Sequence, residues 1–123
     1  MPAFLGLRTT IYKVDNLQEA REWYTTAFQA EPYFDDAFYV GFNVGGYELG
    51  LMKDDTPAAA KTSNVLSYWG VDDIDPAVER FVELGATVDA NPVNVGGEIV
   101  VASVKDPWGN VVGLIYNPDF RLP

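Results

Sequence analysis

The sequence predicts an α+β fold made of two successive copies of one unit, in which a strand and a helix are followed by three more strands. Apolar residues recur at helical spacing in residues 17–28 and again in residues 74–84. Strand-like apolar runs come before and after both stretches. The copies align at one constant shift, which sets VDNL at residues 14–17 against VDDI at residues 71–74. One copy is too small to cover its own sheet, so we expect two copies to combine, within one chain or between two.

The predicted helix ends carry signals of their own. Asn16 and Glu19 form a capping box at the start of the first helix, because the Asn side chain accepts an amide hydrogen of the first turn and the Glu side chain reaches back. In the second helix, Pro76 falls in the first turn, where its missing N–H is tolerated. Gly85 follows the last apolar residue, where a left-handed conformation is needed.

The other predicted strands are short and are bounded by turn residues. They lie at residues 32–34, 38–44 and 47–52 in the first copy, and at residues 65–71, 87–89, 98–104 and 110–116 in the second. The sequence DPWG at residues 106–109 predicts a type I turn, with Asp first, Pro second and Gly fourth.

These elements give one predicted domain over residues 1–123. Its first module covers about residues 5–53 and its second about residues 65–118. Residues 54–64 are rich in Asp, Pro, Ala, Thr and Ser, and we interpret them as the linker between the modules.

Composition excludes several kinds of site. The 123 residues include no histidine and no cysteine, which excludes imidazole ligands and bases, thiolate chemistry and disulfides. Apolar residues make up 48% and aromatic residues 14%, enough for a core and for an aromatic-lined cavity. No apolar run reaches the length of a membrane span, and the first residues show no signal-peptide pattern, so we expect a cytoplasmic protein.

The formal net charge of −10 makes this an acidic protein, and it limits the expected partners. Such a charge repels nucleic acid and anionic membranes, so neither is an expected partner. The charge is explained by solubility alone, or by a preference for cationic ligands.

Four motifs resemble the two halves of the vicinal oxygen chelate superfamily, which includes glyoxalases, bleomycin resistance proteins and extradiol dioxygenases. They are VDNLQEAREWYTTAF, GGYELGL, VDDIDPAVERFVELGATV and DPWGNVVGLIYNP, and the resemblance runs from about residue 7 to residue 118. It implies tandem βαβββ modules whose mixed sheets curve into cups, the glyoxalase/bleomycin resistance fold. It also implies a homodimer, because pockets of this family are often completed across two chains.

The resemblance further implies where the metal ligands of the family's enzymes would stand. The first-strand positions are Thr9 and Leu66, and the fourth-strand positions are Glu48 and Gly113. One carboxylate and one hydroxyl do not hold a divalent transition metal, which takes three or four protein ligands. The sequence therefore resembles the metal-free branch of the superfamily, and we expect no cofactor.

Strand alternation turns the resemblance into a predicted ligand site. Thr9 and every second residue after it on the first strand should face the cup, whereas Tyr12 and Val14 should pack under the helix. The predicted lining is apolar with a few polar groups, as is common in small-molecule sites. The predicted ligand-binding residues are Thr9, Ile11, Phe38, Phe42, Glu48, Met52, Leu66, Tyr68, Trp108 and Ile115.

Several of these residues have a second interpretation. Phe38 and Phe42 are candidates for the wall of the cup or for the sheet core, and Trp108 stands at a turn where an exposed aromatic ring suggests a ligand contact. Glu48 could contact a ligand ammonium, act as an acid or base if burial raises its pKa, or only satisfy neighbouring hydroxyls. The basic residues Arg8 and Lys13 could neutralise Glu48, bind an anion or remain solvated.

Two classes of function follow. The first is a metal-independent binding protein that sequesters a cationic or aromatic small molecule such as an antibiotic. The alternative is a cofactor-independent lyase or isomerase with Glu48 as acid or base, for which Thr9 or Tyr68 would supply the second polar group. A metal-dependent lyase or dioxygenase with an unusual carboxylate site fits least.

Overall fold

The computed structural model describes residues 3, 5–62 and 64–120. The chain divides into two compact units, Met1–Thr56 and Pro57–Pro123. Each unit contains one α-helix and one four-stranded mixed sheet. This confirms the α+β class and the repeated strand–helix–three-strand order predicted from the sequence.

The first unit contains one helix and the four strands of the first sheet. Its elements are β1 (Thr9–Val14), α1 (Leu17–Phe28), β2 (Pro32–Asp35), β3 (Tyr39–Val44) and β4 (Tyr47–Lys53). The strand order is β1-β4-β3-β2, with β1 parallel to β4 and the other neighbours antiparallel. Helix α1 packs against β3 and β4 and covers one face of the sheet. We call the opposite face, which α1 does not cover, the open face of the first sheet.

Helix α1 is fixed by a cap at its start and by ring packing along its length. The Oδ1 atom of Asn16 accepts the backbone N–H of Glu19 at 3.0 Å, as the sequence predicts. Tyr24 is fully buried and stacks on Tyr12 of β1, with ring centroids 5.7 Å apart. Buried aromatic side chains contribute strongly to core stability. The stacked rings of Tyr12 and Tyr24 therefore fill the core between α1 and the first sheet.

The second unit repeats this plan after a short 3₁₀ turn at Ala58–Ala60. Its elements are β5 (Tyr68–Gly70), α2 (Ile74–Glu83), β6 (Thr87–Gly96), β7 (Ile99–Lys105) and β8 (Val111–Tyr116). The strands form the second sheet in the order β5-β8-β7-β6, again with one parallel pair, β5 and β8. Helix α2 packs on β6, β7 and β8.

The ends of the second unit's elements match two sequence predictions. Gly85 follows α2 with a φ of 102°, in the left-handed region predicted for it. In the turn between β7 and β8, Gly109 donates its N–H to the carbonyl of Asp106 at 3.1 Å, the hydrogen bond of a type I turn. The Asp106 carboxylate also accepts the N–H of Trp108 at 2.9 Å. The first residue of the turn, Asp106, thus accepts both of these hydrogen bonds, which stabilise the turn.

Two strands differ from the prediction in length. Strand β6 extends over Thr87–Gly96 instead of ending at residue 89, and its pairing with β7 is interrupted by three register shifts. Pro92 and Gly96 interrupt the strand pattern in the sequence, but the chain continues alongside β7 because the shifts absorb the irregular residues. Strand β5 is shorter than predicted, since only Tyr68–Gly70 pairs with β8.

The predicted linker is structured over much of its length. The carbonyl of Val14 accepts the N–H of Asp54 at 2.9 Å, so β4 is prolonged into the start of the linker. The 3₁₀ turn packs against the turn between β7 and β8: a Cβ atom on Gly109 would lie 2.8 Å from that of Ala58. Lys61 donates to the carbonyl of Trp108 at 2.7 Å. Ser63 lies outside the described residues.

Neither α-helix of the described residues has the length and apolar content needed to cross a membrane.

Candidate ligand-binding site

The open face of the first sheet carries the carboxylate of Glu48 on β4. Glu48 pairs with Thr9 of β1 in the parallel ladder and with Asn43 of β3 in the antiparallel ladder. Side chains alternate along a strand, and the next residue, Leu49, is fully buried on the helix side. The structure therefore places two predicted site residues, Thr9 and Glu48, side by side on the same face.

Three hydroxyl groups surround this carboxylate. Tyr33 donates to Oε2 through a short hydrogen bond, and Tyr39 donates to Oε1 at 2.6 Å. The hydroxyl of Thr9 lies within hydrogen-bonding reach of this carboxylate and of the Tyr39 oxygen. These residues come from four different strands, Thr9 from β1, Tyr33 from β2, Tyr39 from β3 and Glu48 from β4. We call them the Glu48 cluster, which connects every strand of the first sheet.

A bulge in β2 brings Tyr33 to the cluster. The pairing of β2 with β3 shifts between Pro32 and Phe34, so that Tyr33 and Phe34 together stand opposite the single residue Gly41. A bulge of this kind redirects side chains and often occurs beside functional sites. Tyr33 bonds to the Glu48 carboxylate, and the Phe34 ring centroid lies 6.2 Å from that of Tyr39. Consecutive aromatic side chains thus both belong to the open face.

Two glycines form a flat floor beneath the cluster. Gly41 and Gly50 are direct partners across β3 and β4, and both are buried. A Cβ atom on Gly41 would lie 2.9 Å from Oε2 of Glu48 and 3.1 Å from the Tyr33 ring. A Cβ atom on Gly50 would overlap the hydroxyl of Tyr39. Neither glycine has a positive φ, so it is the space above them that requires glycine at these positions.

The cluster holds its carboxylate in the charged form. Hydrogen bonds from Thr9 first, and then from Tyr33 and Tyr39, keep the pKa of Glu48 below its ordinary value of 4.5. The pKa of Tyr33 is raised above 10.0, mainly by its hydrogen bond to Glu48. Burial is the main cause of the raised pKa of Tyr39, followed by its hydrogen bond to Glu48. At neutral pH the site is therefore an anion surrounded by neutral hydroxyl donors.

Apolar side chains flank this anion on the open face. Ile11 and Met52, both predicted site residues, are 41% and 36% exposed. Ile11 pairs with Gly50 across the parallel ladder, next to the pair formed by Thr9 and Glu48. Phe34 is also partly exposed. A charged group bound at Glu48 would therefore have exposed hydrocarbon within reach of its substituents.

Two predictions about the phenylalanines have different outcomes. Phe42 is fully buried, and it pairs with Leu49 on the side of α1, so the prediction that it faces the ligand is wrong. The physical reason is alternation: Gly41 faces the cluster, and its neighbour Phe42 must point the other way. Phe38 is 76% exposed in the connection between β2 and β3, so it does not belong to the sheet core. Its backbone N–H donates to the Asp36 carboxylate at 2.8 Å.

The basic residues in and next to β1 have partners other than Glu48. Arg8 donates to the carbonyl of Leu5 at 2.8 Å. Lys13 lies 3.8 Å from the carboxylate of Asp54, and its side chain is mostly exposed. The structure therefore does not show Arg8 or Lys13 neutralising Glu48.

The predicted site residues of the second unit lie in or next to β5 and β8. Leu66 and Ile115 are half-buried, and Tyr68 is exposed, with its ring lying over Gly113. A Cβ atom on Gly113 would be 2.7 Å from that ring. Trp108 is only 8% exposed, so the expectation of an exposed ring at its turn is wrong. The Asp106 carboxylate folds the turn back, and the Trp108 ring becomes part of the core.

Strand register corrects the correspondence between the two copies. In the first unit Ile11 pairs with Gly50, and in the second Tyr68 pairs with Gly113. Because Ile11 and Tyr68 correspond in the repeat, Gly113 is the counterpart of Gly50 and not of Glu48. The expected match of Glu48 with Gly113 is therefore wrong by two residues, and the counterpart of Glu48 is Val111.

The residues at the positions of the family's metal ligands do not fit a metal ion. Leu66 and Val111 have no side-chain atom that could bind a metal, and both oxygens of Glu48 already accept phenol hydrogens. In the described residues, no group of three or more acidic, histidine or cysteine side chains is placed to hold a metal.

Two surface clefts among the described residues lie away from the cluster. A cleft of about 270 Å³ in the second unit lies between the start of α2 and strands β6, β7 and β8, and includes Asp72, Asp75 and Tyr116. A cleft of about 130 Å³ in the first unit lies beside the ion pair of Arg21 and Asp35. We base the candidate site on the Glu48 cluster, because converging polar groups, and not concavity alone, orient a ligand.

Sequence reasoning missed Tyr33 and Tyr39. Tyr39 shares the face of Gly41, which strand alternation from Glu48 through the pairing of β3 and β4 could have indicated. Tyr33 had no such signal, because its position depends on the bulge in β2.

Comparison with known protein families matches residues 6–114 to the Glyoxalase/Bleomycin resistance protein/Dioxygenase superfamily. No curated protein matches the sequence. Among solved structures, the chain is similar to a glyoxalase-related enzyme from Fulvimarina pelagi, with 16% identity, a TM-score of 0.78, and coverage of 98% of this chain and 94% of that one.

Two fosfomycin resistance proteins, both FosX, are also similar in structure. The protein from Mesorhizobium loti is 19% identical, with a TM-score of 0.71 and coverage of 97% and 96% of the two chains. The protein from Listeria monocytogenes is 19% identical, with a TM-score of 0.74 and coverage of 97% of each chain. Since the family match spans most of the sequence, the chain belongs to the Glyoxalase/Bleomycin resistance protein/Dioxygenase superfamily.

Proposed function

We propose that this protein is a metal-independent binding protein for a small cationic molecule that carries an apolar or aromatic part. The Glu48 cluster carries the proposal, because it presents an ionised carboxylate among hydroxyl groups on an exposed sheet face. Ile11, Met52 and Phe34 supply partly exposed hydrocarbon beside it. The net charge of −10 adds a long-range attraction for cations.

Binding without catalysis agrees better with the electrostatics than proton transfer does. A general base works best when its pKa lies near the operating pH. The hydrogen bonds of Thr9, Tyr33 and Tyr39 move the pKa of Glu48 in the opposite direction, below 4.5. Glu48 is therefore a weak base at neutral pH, which disfavours the alternative of a cofactor-independent lyase or isomerase.

Sequestration of an antibiotic in the cytoplasm, by a homodimer, is the biological form of this proposal. The structural similarity to fosfomycin resistance proteins and the superfamily match support a role in resistance at the level of the protein class. A dimer would be detected by light scattering at micromolar concentration, and a monomer at that concentration would contradict this part of the proposal.

The proposal is tested by an amide NMR titration of ¹⁵N-labelled protein with benzylammonium at pH 7. We expect saturable shifts in β1 and β4 around Thr9 and Glu48, and about tenfold weaker binding in Glu48→Gln, because a hydrogen-bonded charge pair is lost. Glu98→Gln is the matched control, since it removes one exposed carboxylate from a turn of the second unit.

Benzyl alcohol serves as the neutral ligand of the same size. The proposal fails if benzylammonium and benzyl alcohol bind equally, or if Glu48→Gln binds benzylammonium as tightly as Glu98→Gln does.

A further inference from the structure

We infer that the Glu48 cluster selects primary ammonium groups over more highly substituted ones, because it offers three separate hydrogen-bond acceptors around one anion. This inference rests on the proposed function and names the class of cation that the same site prefers. The three acceptors are Glu48 and the phenol oxygens of Tyr33 and Tyr39.

Counting lone pairs shows why these acceptors are open to a ligand. An ionised carboxylate has about four lone-pair positions. Tyr33 and Tyr39 occupy two of them, and Thr9, whose single hydrogen is shared between Glu48 and Tyr39, occupies at most one more, which leaves at least about one for a further donor. Each phenol gives its only hydrogen to Glu48, so its oxygen keeps lone pairs that can accept, although Tyr39 shares this capacity with the nearby Thr9 hydroxyl.

The number of acceptors matches the donors of a primary ammonium. Such a group carries three N–H donors, as the lysine side chain does. Each methyl group that replaces a hydrogen removes one donor and leaves one acceptor of the cluster without a partner. A quaternary ammonium has no donor, and only its charge and its contacts with ring faces remain.

The orientation of the rings favours this interpretation over an aromatic cage. A cage binds quaternary ammonium through the faces of several rings. Here the Tyr33 and Tyr39 hydroxyls converge on Glu48 above the floor formed by Gly41 and Gly50, so the rings present their polar ends to the site. The floor also keeps these hydroxyls close to the sheet, where a small head group such as ammonium can reach both of them and the carboxylate.

A graded series of ligands tests this inference on the unmodified protein. The probes are benzylammonium and its N-methyl, N,N-dimethyl and N,N,N-trimethyl forms, all cationic at pH 7, titrated against ¹⁵N-labelled protein. We expect affinity to fall with each methyl group, by about tenfold or more between the first and last members. Apolar burial alone would produce the reverse order, because each methyl group adds hydrocarbon.

Two tyrosine variants test the acceptors one at a time. Tyr33→Phe and Tyr39→Phe should each weaken benzylammonium binding several-fold and leave trimethyl binding within about twofold. Tyr47→Phe is the control, since Tyr47 neighbours Glu48 in β4 and, by strand alternation, belongs to the other face. Amide spectra of every variant report whether the first sheet is intact.

The outcomes separate the two proposals. A falling affinity along the series supports both. Equal affinities, or tighter binding of the trimethyl form, would overturn the preference for primary ammonium while leaving cation binding in place. If no member of the series shifts the resonances of β1 and β4, the proposed function fails, and the inference fails with it.

Discussion

The open face of the first sheet and the corresponding strands of the second unit use one backbone plan with different side chains. In both units a glycine of the last strand lies beneath a tyrosine: Tyr39 stands over Gly50, and Tyr68 over Gly113. Tyr39 comes from the antiparallel neighbour β3, whereas Tyr68 comes from the parallel neighbour β5. Only in the first unit does a carboxylate, Glu48, stand two residues before that glycine.

The second unit keeps a simpler polar contact. Its counterpart of Glu48 is Val111, and its counterpart of Gly41 is Ser103, which donates to the Asp89 carboxylate at 2.8 Å. Ser103 is buried, so this hydrogen bond satisfies a hydroxyl that would otherwise lack a partner. The comparison teaches that both copies keep the glycine of the last strand, Gly50 or Gly113, whereas the charge of the site depends on one residue of one copy.

The largest effect on stability is expected from alanine at the glycine of the second unit. In Gly113→Ala the new Cβ would lie 2.5 Å from the backbone carbonyl of Ser67, which cannot rotate away. We expect a loss of about 2–3 kcal/mol in the free energy of unfolding, in the range of overpacked cores. Gly50→Ala meets the end of the Tyr39 side chain, which can rotate, so its loss should be smaller.

Urea unfolding of the two variants measures this difference. Gly50→Ala should nevertheless weaken benzylammonium binding more than Gly113→Ala does, because it displaces an acceptor of the cluster. Equal stability losses, or intact binding in Gly50→Ala, would contradict the proposed role of the floor.

The next effect concerns stability at low pH. Because the folded-state pKa of Glu48 lies below its ordinary value of 4.5, the carboxylate stabilises the folded protein at pH above that value. This contribution is lost as the pH falls through 4.5 and below the folded pKa. Glu48→Gln should therefore show a flatter decline of Tm between about pH 5 and pH 3. Identical slopes for wild type and Glu48→Gln would show that the cluster does not lower this pKa.

The tyrosines of the cluster, unlike Glu48, are expected to affect stability at high pH. The pKa values of Tyr33 and Tyr39 are raised above 10.0, so their contribution is present below that pH and lost as the pH rises through the folded values. Absorbance titration of the phenols should show one tyrosine fewer, Tyr33, ionising near pH 10 in wild type than in Glu48→Gln, because burial keeps the pKa of Tyr39 raised in both proteins. The same number in both proteins would contradict hydrogen bonding of the phenols to an anion.

The smallest effect compares the two helix starts. Asn16 bonds to the N–H of Glu19, whereas Asp73 makes no side-chain cap bond. Asn16→Ala should cost about 1 kcal/mol in the free energy of unfolding, and Asp73→Ala about half of that or less. Equal losses in thermal unfolding would show that the cap bond of Asn16 does not add stability.

The sequence was informative where local rules decide the structure. Helical spacing and the Asn16 cap located α1, and the repeat gave the order of the elements in both units. Strand alternation brought Thr9 and Glu48 to the same face, where the structure has them. These features depend on residues near one another in the chain or on one strand pair. The sequence pattern alone therefore indicates them.

The rest depended on register and on non-local packing. The bulge between Pro32 and Phe34 places Tyr33 at Glu48, and no periodic pattern reports a bulge. The match between Glu48 and Gly113 was wrong, because the motifs do not fix the register of β4 and β8 to a single residue. Trp108 was expected at the surface, but the Asp106 carboxylate turns the chain so that the ring is buried.

The central claim is that an ionised Glu48, held by three hydroxyl donors, is the group that binds the cation. The ¹³C resonance of the Glu48 side-chain carboxyl carbon, followed from pH 7 to pH 2 with and without benzylammonium, tests this claim directly. We predict a titration with its midpoint below 4.5, which moves lower still in the presence of benzylammonium. A midpoint above 4.5, or one that benzylammonium leaves unchanged, would contradict it.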